Sequence, residues 1–306
     1  MPNPTLSKGD PRQYLLPDVV SRVRHLDLIA KFIVEGFLVG LHKSPFHGFS
    51  VEFSEHRQYM PGDNIRDIDW KVFGRTDRYY IKQYEEETNL KANILLDISG
   101  SMQYTSHGVT KLQYGTYLAA ALAYLLLKQR DAVGLTLFSD RIHRYLPPKS
   151  TNTYITFLLR ELHRIEAQKR PTELSSTLHE MAEKIRRPGL IILLTEFLYE
   201  DPARILDGLR HFRHYKHEVL VFNLLDPNDR WFRFEDEATF VDLETGETLK
   251  TQPYLIRDRY RELVEEFYTG LRQECRAMHI DFQTIFTDES FEKALTRYLL
   301  KRKRLK

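Results

Sequence analysis

Cysteine is nearly absent from this chain: Cys275 is the only one among 306 residues. A lone cysteine can form no disulfide within the chain and no cysteine cluster for zinc, which fits a reducing compartment. Long apolar runs are missing too. The most apolar one, Tyr117 to Leu127, lies between Lys111 and Lys128 and is too short to cross a hydrocarbon core of about 30 Å as a helix. Met1 to Asp10 holds no apolar stretch of the kind a secretory leader needs. A cytoplasmic protein with no membrane insertion is expected. Charge of one sign is also scarce, since 45 Lys plus Arg against 43 Asp plus Glu leaves +2, and five of the positive charges fall in the last six residues. A protein that holds nucleic acid over its whole surface would be far more basic, so no nucleic-acid partner is expected. Several catalytic motifs are lacking as well. The chain has no Gly-x-x-x-x-Gly-Lys-Ser/Thr, no Gly-x-Gly-x-x-Gly, no His-Glu-x-x-His and no Gly-x-Ser-x-Gly, so ATPase, dinucleotide, zinc-protease and α/β-hydrolase readings lose their usual support.

What is present is enough for a folded core. The composition is 42% hydrophobic and 12% aromatic, and the length suits two domains or one domain with an extension. From Asp18 to Leu41, the residues Val19, Val23, Leu26, Ala30, Ile33, Phe37 and Leu41 recur at steps of three and four. This spacing predicts one amphipathic helix that needs something to pack on. His42 to Thr88 is rich in turn residues and clustered charge, which predicts short strands and loops.

Beyond Lys91, apolar runs of strand length alternate with helical patterns. The expected strands are Ala92 to Leu96, Ala132 to Phe138, Leu190 to Leu194, Val219 to Leu225 and Ile280 to Phe286; helices are expected at Thr110 to Arg130, Tyr154 to Ile165, Ser175 to Arg186, Pro202 to His214 and Tyr254 to Met278. Buried strands separated by helices predict an α/β fold, a doubly wound, mostly parallel sheet with helices on both faces. A hairpin around Thr245-Gly246 is expected near 239–251. The division reads as an N-terminal helix and β-rich segment over 1–88, then the α/β domain over 89–306.

Ligands of open α/β sheets bind at the carboxyl ends of the strands. After the first strand comes Asp97-Ile98-Ser99-Gly100-Ser101, whose Asp, Ser and Ser can converge hard oxygen donors on a small cation such as Mg²⁺. Pro171-Thr172-Glu173 precedes a helix and Thr195-Glu196 follows another strand, in loops that the fold would set beside the first. With these residues the chain resembles the von Willebrand factor A domain, whose metal site uses Asp-x-Ser-x-Ser with a Thr and an Asp from two further loops. The resemblance implies Asp97, Ser99, Ser101 and Thr172 as metal ligands, and Glu196 at the place of the usual Asp.

The resemblance extends upstream. His42 to Phe53, Arg57-Gln58-Tyr59, Pro61 to Lys71, Arg75, Tyr84, Glu85 to Glu87 and, later, Asp242 to Glu247 are similar to the signature of the domain of unknown function 58 family. Such proteins are often paired with MoxR-type AAA+ ATPases. The likeness implies a non-enzymatic, Mg²⁺-dependent interaction module, with Mn²⁺ or Ca²⁺ as other candidate ions. Its partners would be a MoxR-type ATPase and a client protein that supplies an acidic side chain to the metal. A metal-dependent phosphoesterase and a metal-free scaffold are the competing readings. Arg57, Asp63, Arg66, Asp69 and Trp70 read as an interdomain or partner surface, or as a buried Arg to Asp network around a packed Trp. Lys301 to Lys306 reads as a frayed, solvated end, and the twelve histidines as solvated or capping side chains.

Overall fold

The computed structural model describes residues 11–43, 56–59, 70–82, 90–168, 173–197, 201–234 and 237–303. In chain order, the elements before the main sheet are α1 (Pro17–Val20), α2 (Leu26–Lys43), β1 (His56–Gln58), α3 (Trp70–Thr76) and β2 (Tyr80–Lys82). There follow β3 (Lys91–Asp97), α4 (Lys111–Lys128), β4 (Ala132–Phe138), β5 (Ile142–Lys149), α5 (Tyr154–His163), α6 (Leu174–Lys184) and β6 (Leu190–Thr195). The last part holds α7 (Pro202–His214), β7 (Glu218–Leu225), α8 (Pro227–Trp231), the antiparallel hairpin β8 (Ala238–Val241) and β9 (Thr248–Thr251), α9 (Pro253–Ala277), β10 (Asp281–Phe286) and α10 (Glu292–Lys303).

The main sheet has the order β10-β7-β6-β3-β4-β5, and every pairing is parallel except β4 with β5. All five expected strands lie in it. β5 lies outside the expected strands and carries Pro147-Pro148, a pair that a central strand would not hold. An edge position, on the outer side of β4, tolerates both prolines. The chain leaves β3 to one side through β4 and β5, then crosses back to β6, so β3 and β6 flank the topological switch point where α/β sheets bind ligands.

Two apolar layers cover the sheet. One joins Ile94, Leu96, Leu118, Leu122, Leu125, Phe291 and Tyr298; the other joins Leu95, Leu178, Leu193, Leu209, Val221 and Tyr268. The α4 helix is apolar nearly all round because α2 covers its outer side: Ile29, Ala30, Ile33, Val34 and Phe37 of α2 are buried in the first of these layers. Gly115 lets α4 approach the sheet, where a Cβ would come within 2.9 Å of Leu96 Cδ1. Among the described residues, no helix is long and apolar enough to cross a membrane.

Three expectations are corrected. The single helix from Asp18 to Leu41 is broken between α1 and α2. The Ser21 hydroxyl donates to the Asp18 carbonyl at 3.0 Å, and Val23 N–H to the Val20 carbonyl at 3.0 Å, tightening the turn in place of helical continuation. The C-terminal run is no frayed end as far as Lys303: it closes α10, and Phe291, Ala294, Leu295, Tyr298 and Leu299 are buried. Lys301 is buried against Glu218 (2.6 Å) and Asp281 (3.0 Å), while Arg302 meets Asp131 at 2.8 Å. Trp70 is not packed either. It is 57% exposed and touches Phe73 edge-on.

Candidate functional site

Asp97 ends β3 and Thr195 ends β6, and parallel register sets the two residues side by side, one step beyond the Leu96 to Leu194 pair. The Thr195 hydroxyl donates to one Asp97 oxygen at 2.5 Å, and the Ser99 N–H donates to the other at 2.9 Å. Ser99 then bridges to Gln168, and a 3-10 turn over Gly100–Gln103 brings Ser101 back, so that the Ser99 and Ser101 hydroxyl oxygens lie 3.1 Å apart. Asp97 and Ser99 are buried. Burial pushes the Asp97 carboxyl up to about 6, against the pull of the Thr195 and Ser99 hydrogen bonds and with a further push from the Glu196 charge.

Glu196 follows Thr195 into the same buried space, but its first partner is a lysine. Lys111, the first residue of α4, forms an ion pair with Glu196 and a second with Asp229 at 3.0 Å; only 2% of the lysine side chain is exposed. Burial works against the ammonium charge, yet the two carboxylates outweigh it and hold Lys111 above the ordinary lysine range. A cation at a helix N-terminus opposes the helix dipole, so these carboxylates also offset a local conflict. Asp229 is shared, since it accepts the Asp226 N–H at 2.9 Å in the capping box of α8. Its carboxyl is raised to about 6, first by burial, with Lys111 opposing and Glu196 adding. Asp226 directly follows β7 and caps α8, and it is fully buried, accepting from Ser106 N–H (2.7 Å), the Ser106 hydroxyl (2.6 Å) and Asn228 N–H (2.8 Å).

The hairpin leans on the same loop. A Cβ at Gly100 would come within 2.9 Å of the Leu243 carbonyl and 3.2 Å of Glu244 Cγ, and Glu244 accepts the Ser101 N–H at 3.4 Å. Glycine at 100 is thus required by close approach. Beside Gln168 opens a groove of about 320 Å³, lined in part by Ile98, Arg144, Arg164 and Glu166.

The donors present suit a small hard cation. Cis ligands of an octahedral Mg²⁺ stand roughly 2.9 Å apart, close to the 3.1 Å between the two serine hydroxyls. Asp97 is a desolvated carboxylate that accepts the Ser99 amide and the Thr195 hydroxyl, and Glu196 Oε1 is buried without a hydrogen-bond partner among the described residues. Of the expected ligands, Asp97, Ser99 and Ser101 come together and Glu196 stands nearby on Lys111. Thr172 lies outside the described residues, as do Asp63, Arg66 and Asp69; Arg57 falls on β1, apart from the main sheet. Sequence reasoning missed Lys111, Thr195, Asp226, Asp229 and Glu244. Asp226 was within reach, as an Asp directly after a buried strand, and Lys111 as the one charge opening an apolar helix.

A mostly parallel, doubly wound sheet with an Asp-x-Ser-x-Ser loop at its switch point defines a von Willebrand A-like α/β domain. Residues 55–268 match the family model described as protein of unknown function DUF58, and the chain belongs to that family. It is similar to the uncharacterized protein Rv1480 of Mycobacterium tuberculosis, at 24% identity over 98% of this chain and 94% of that one. Among solved structures it is similar to the conserved hypothetical protein BatB of Bacteroides thetaiotaomicron, at 17% identity, 70% and 98% coverage of the two chains and a TM-score of 0.47. An aerotolerance-related membrane protein of Bacteroides fragilis matches at 18% identity, 69% and 99% coverage and a TM-score of 0.48. At such identities and scores, these two resemblances support no functional argument.

Proposed function

We infer that the chain is a non-enzymatic protein-interaction module in which Asp97, Ser99 and Ser101 hold Mg²⁺ and an acidic side chain of a partner completes the ion's shell. The observation behind this reading is the pair of serine hydroxyls 3.1 Å apart beside the buried Asp97 carboxylate. Bound there, the ion would supply a concentrated positive charge that neutral hydroxyls leave largely uncompensated. Asp97 and Thr195 orient the loop, and Lys111 balances Glu196 and Asp229 behind it. Glu244, reaching from the hairpin to Ser101, is the in-chain carboxylate that a partner would displace. The partner in this reading is the MoxR-type AAA+ ATPase that the sequence resemblance implies, acting with the chain in chaperone-like assembly or remodelling of a client.

Calorimetric titration of Mg²⁺ into the wild type and Asp97→Ala tests the metal. Heat in the first and none in the second is expected; equal, negligible heats in both would remove it. Affinity purification with and without chelator tests the partner, and an AAA+ ATPase should appear only in the chelator-free arm. Turnover of generic phosphoesters that Asp97→Ala abolishes would replace this reading with an enzymatic one.

A further inference from the structure

A second cluster lies away from the β3 loop, where α6 crosses α7. The two helices meet closely, since a Cβ at Gly208 would come within 2.9 Å of Leu178 Cβ. One turn along, His179 of α6 and His211 of α7 face each other with their Nδ1 atoms 3.0 Å apart. Each ring turns its other nitrogen to a carboxylate on the opposite helix: His179 Nε2 to Asp207 at 3.3 Å, and His211 Nε2 to Glu183 at 3.3 Å. The carboxylates are held in turn. Asp207 pairs with Arg210 at 3.0 Å, and Glu183 with Arg186 at 3.0 Å while accepting the Tyr215 hydroxyl at 3.0 Å. Tyr215 also stacks on the His211 ring.

This pattern is not that of solvated or capping histidines. Each Nε2 faces a carboxylate, and the two Nδ1 atoms are close enough either to share a hydrogen bond or to hold one ion between them. A hydrogen bond from one Nδ1–H to the other Nδ1 is one solution. A divalent transition metal is the other, and imidazoles oriented by carboxylates are the usual support of such an ion. Neighbouring ligands of a tetrahedral zinc are roughly 3.3 Å apart, so the pair needs to open by only a few tenths of an ångström. Hard cations such as Mg²⁺ are poor matches for imidazole nitrogen, which separates this position chemically from the serine-lined loop.

We propose that His179 and His211 form a two-histidine site for a borderline transition-metal ion, of the Zn²⁺ class, that clamps α6 to α7. Among the described residues, no three His, Cys, Asp or Glu side chains are grouped to hold a metal, so the histidines supply two ligands. Water or a partner's side chain fills the other positions.

The test is equilibrium dialysis of the full chain, free of any histidine tag, against micromolar ZnCl₂, with bound zinc counted per chain and thermal midpoints recorded with and without the ion. The wild type should hold one zinc that His179→Ala and His211→Ala each lose, and its midpoint should rise with zinc where theirs do not. Glu183→Gln should weaken binding by about tenfold or more, as loss of an orienting carboxylate does. Asp97→Ala should bind zinc like the wild type. Equal zinc in the wild type and both histidine variants would overturn the proposal, as would zinc lost in Asp97→Ala but kept in the histidine variants.

Discussion

Replacing Lys111 by Met keeps the length of the side chain and removes the one ammonium shared by Glu196 and Asp229. At the 3.0 Å separation of Lys111 and Asp229, a unit-charge attraction in an effective dielectric of 20 is about 5.5 kcal/mol, and the Glu196 contact adds a second attraction. Several kcal/mol of that are spent on desolvating the ammonium. A small part of the cost also returns when the cation leaves the α4 N-terminus, about 0.3–1 kcal/mol. The balance predicts that Lys111→Met loses about 3–5 kcal/mol, the range for breaking a buried pair and leaving its partner charged. Urea unfolding at neutral pH without divalent ions, followed by circular dichroism, measures it. The triple variant Lys111→Met, Glu196→Gln, Asp229→Asn should recover most of the loss, because no buried charge is then left alone. A single variant within about 1 kcal/mol of wild type, the ordinary size of an exposed pair, would refute the reasoning, as would a triple variant no better than the single one.

Two further expectations follow from the packing. Phe37 is fully buried where α2 covers α4, so Phe37→Ala should lower the unfolding free energy by about 3–5 kcal/mol; a loss under about 1 kcal/mol would mean that α2 is not an integral layer. His217 is buried and donates to the Ile185 carbonyl, and burial holds its pKa below the ordinary 6.5 despite hydrogen bonds that favour the charge. The unfolded chain therefore takes up the proton first. Stability should fall as pH drops through about 6.5, by at most about 1.4 kcal/mol per pH unit for this group, and His217→Gln should flatten that slope in urea titrations at several pH values. Identical slopes in the two proteins would count against it.

Much of the fold is local chemistry and was legible in the sequence. The five parallel strands are apolar runs of strand length, and α4, α6, α7 and α9 follow their periodicities to within a residue or two. Asp97, Ser99 and Ser101 were legible for the same reason: a strand end and a loop spacing of two lie within five residues. Where the sequence misled, a distant partner decided. Pro147-Pro148 is unfit for a strand until an edge position exists to hold it, and Lys301 and Arg302 read as a solvated tail until Glu218, Asp281 and Asp131 come to meet them.

The site divides along the same line. Sequence alone determined which oxygens could gather at the end of β3, because neighbours in the chain cannot avoid one another. Only the tertiary structure decided what stands behind them. Lys111, Glu196 and Asp229 are separated by 85 and 118 residues along the chain in their two contacts, and what joins them is the energetic need of buried charge for an opposite charge, which no local spacing records. The His179 and His211 pair arises in the same way, from two helices that Gly208 allows to pack closely and whose facing turns carry one imidazole and one carboxylate each.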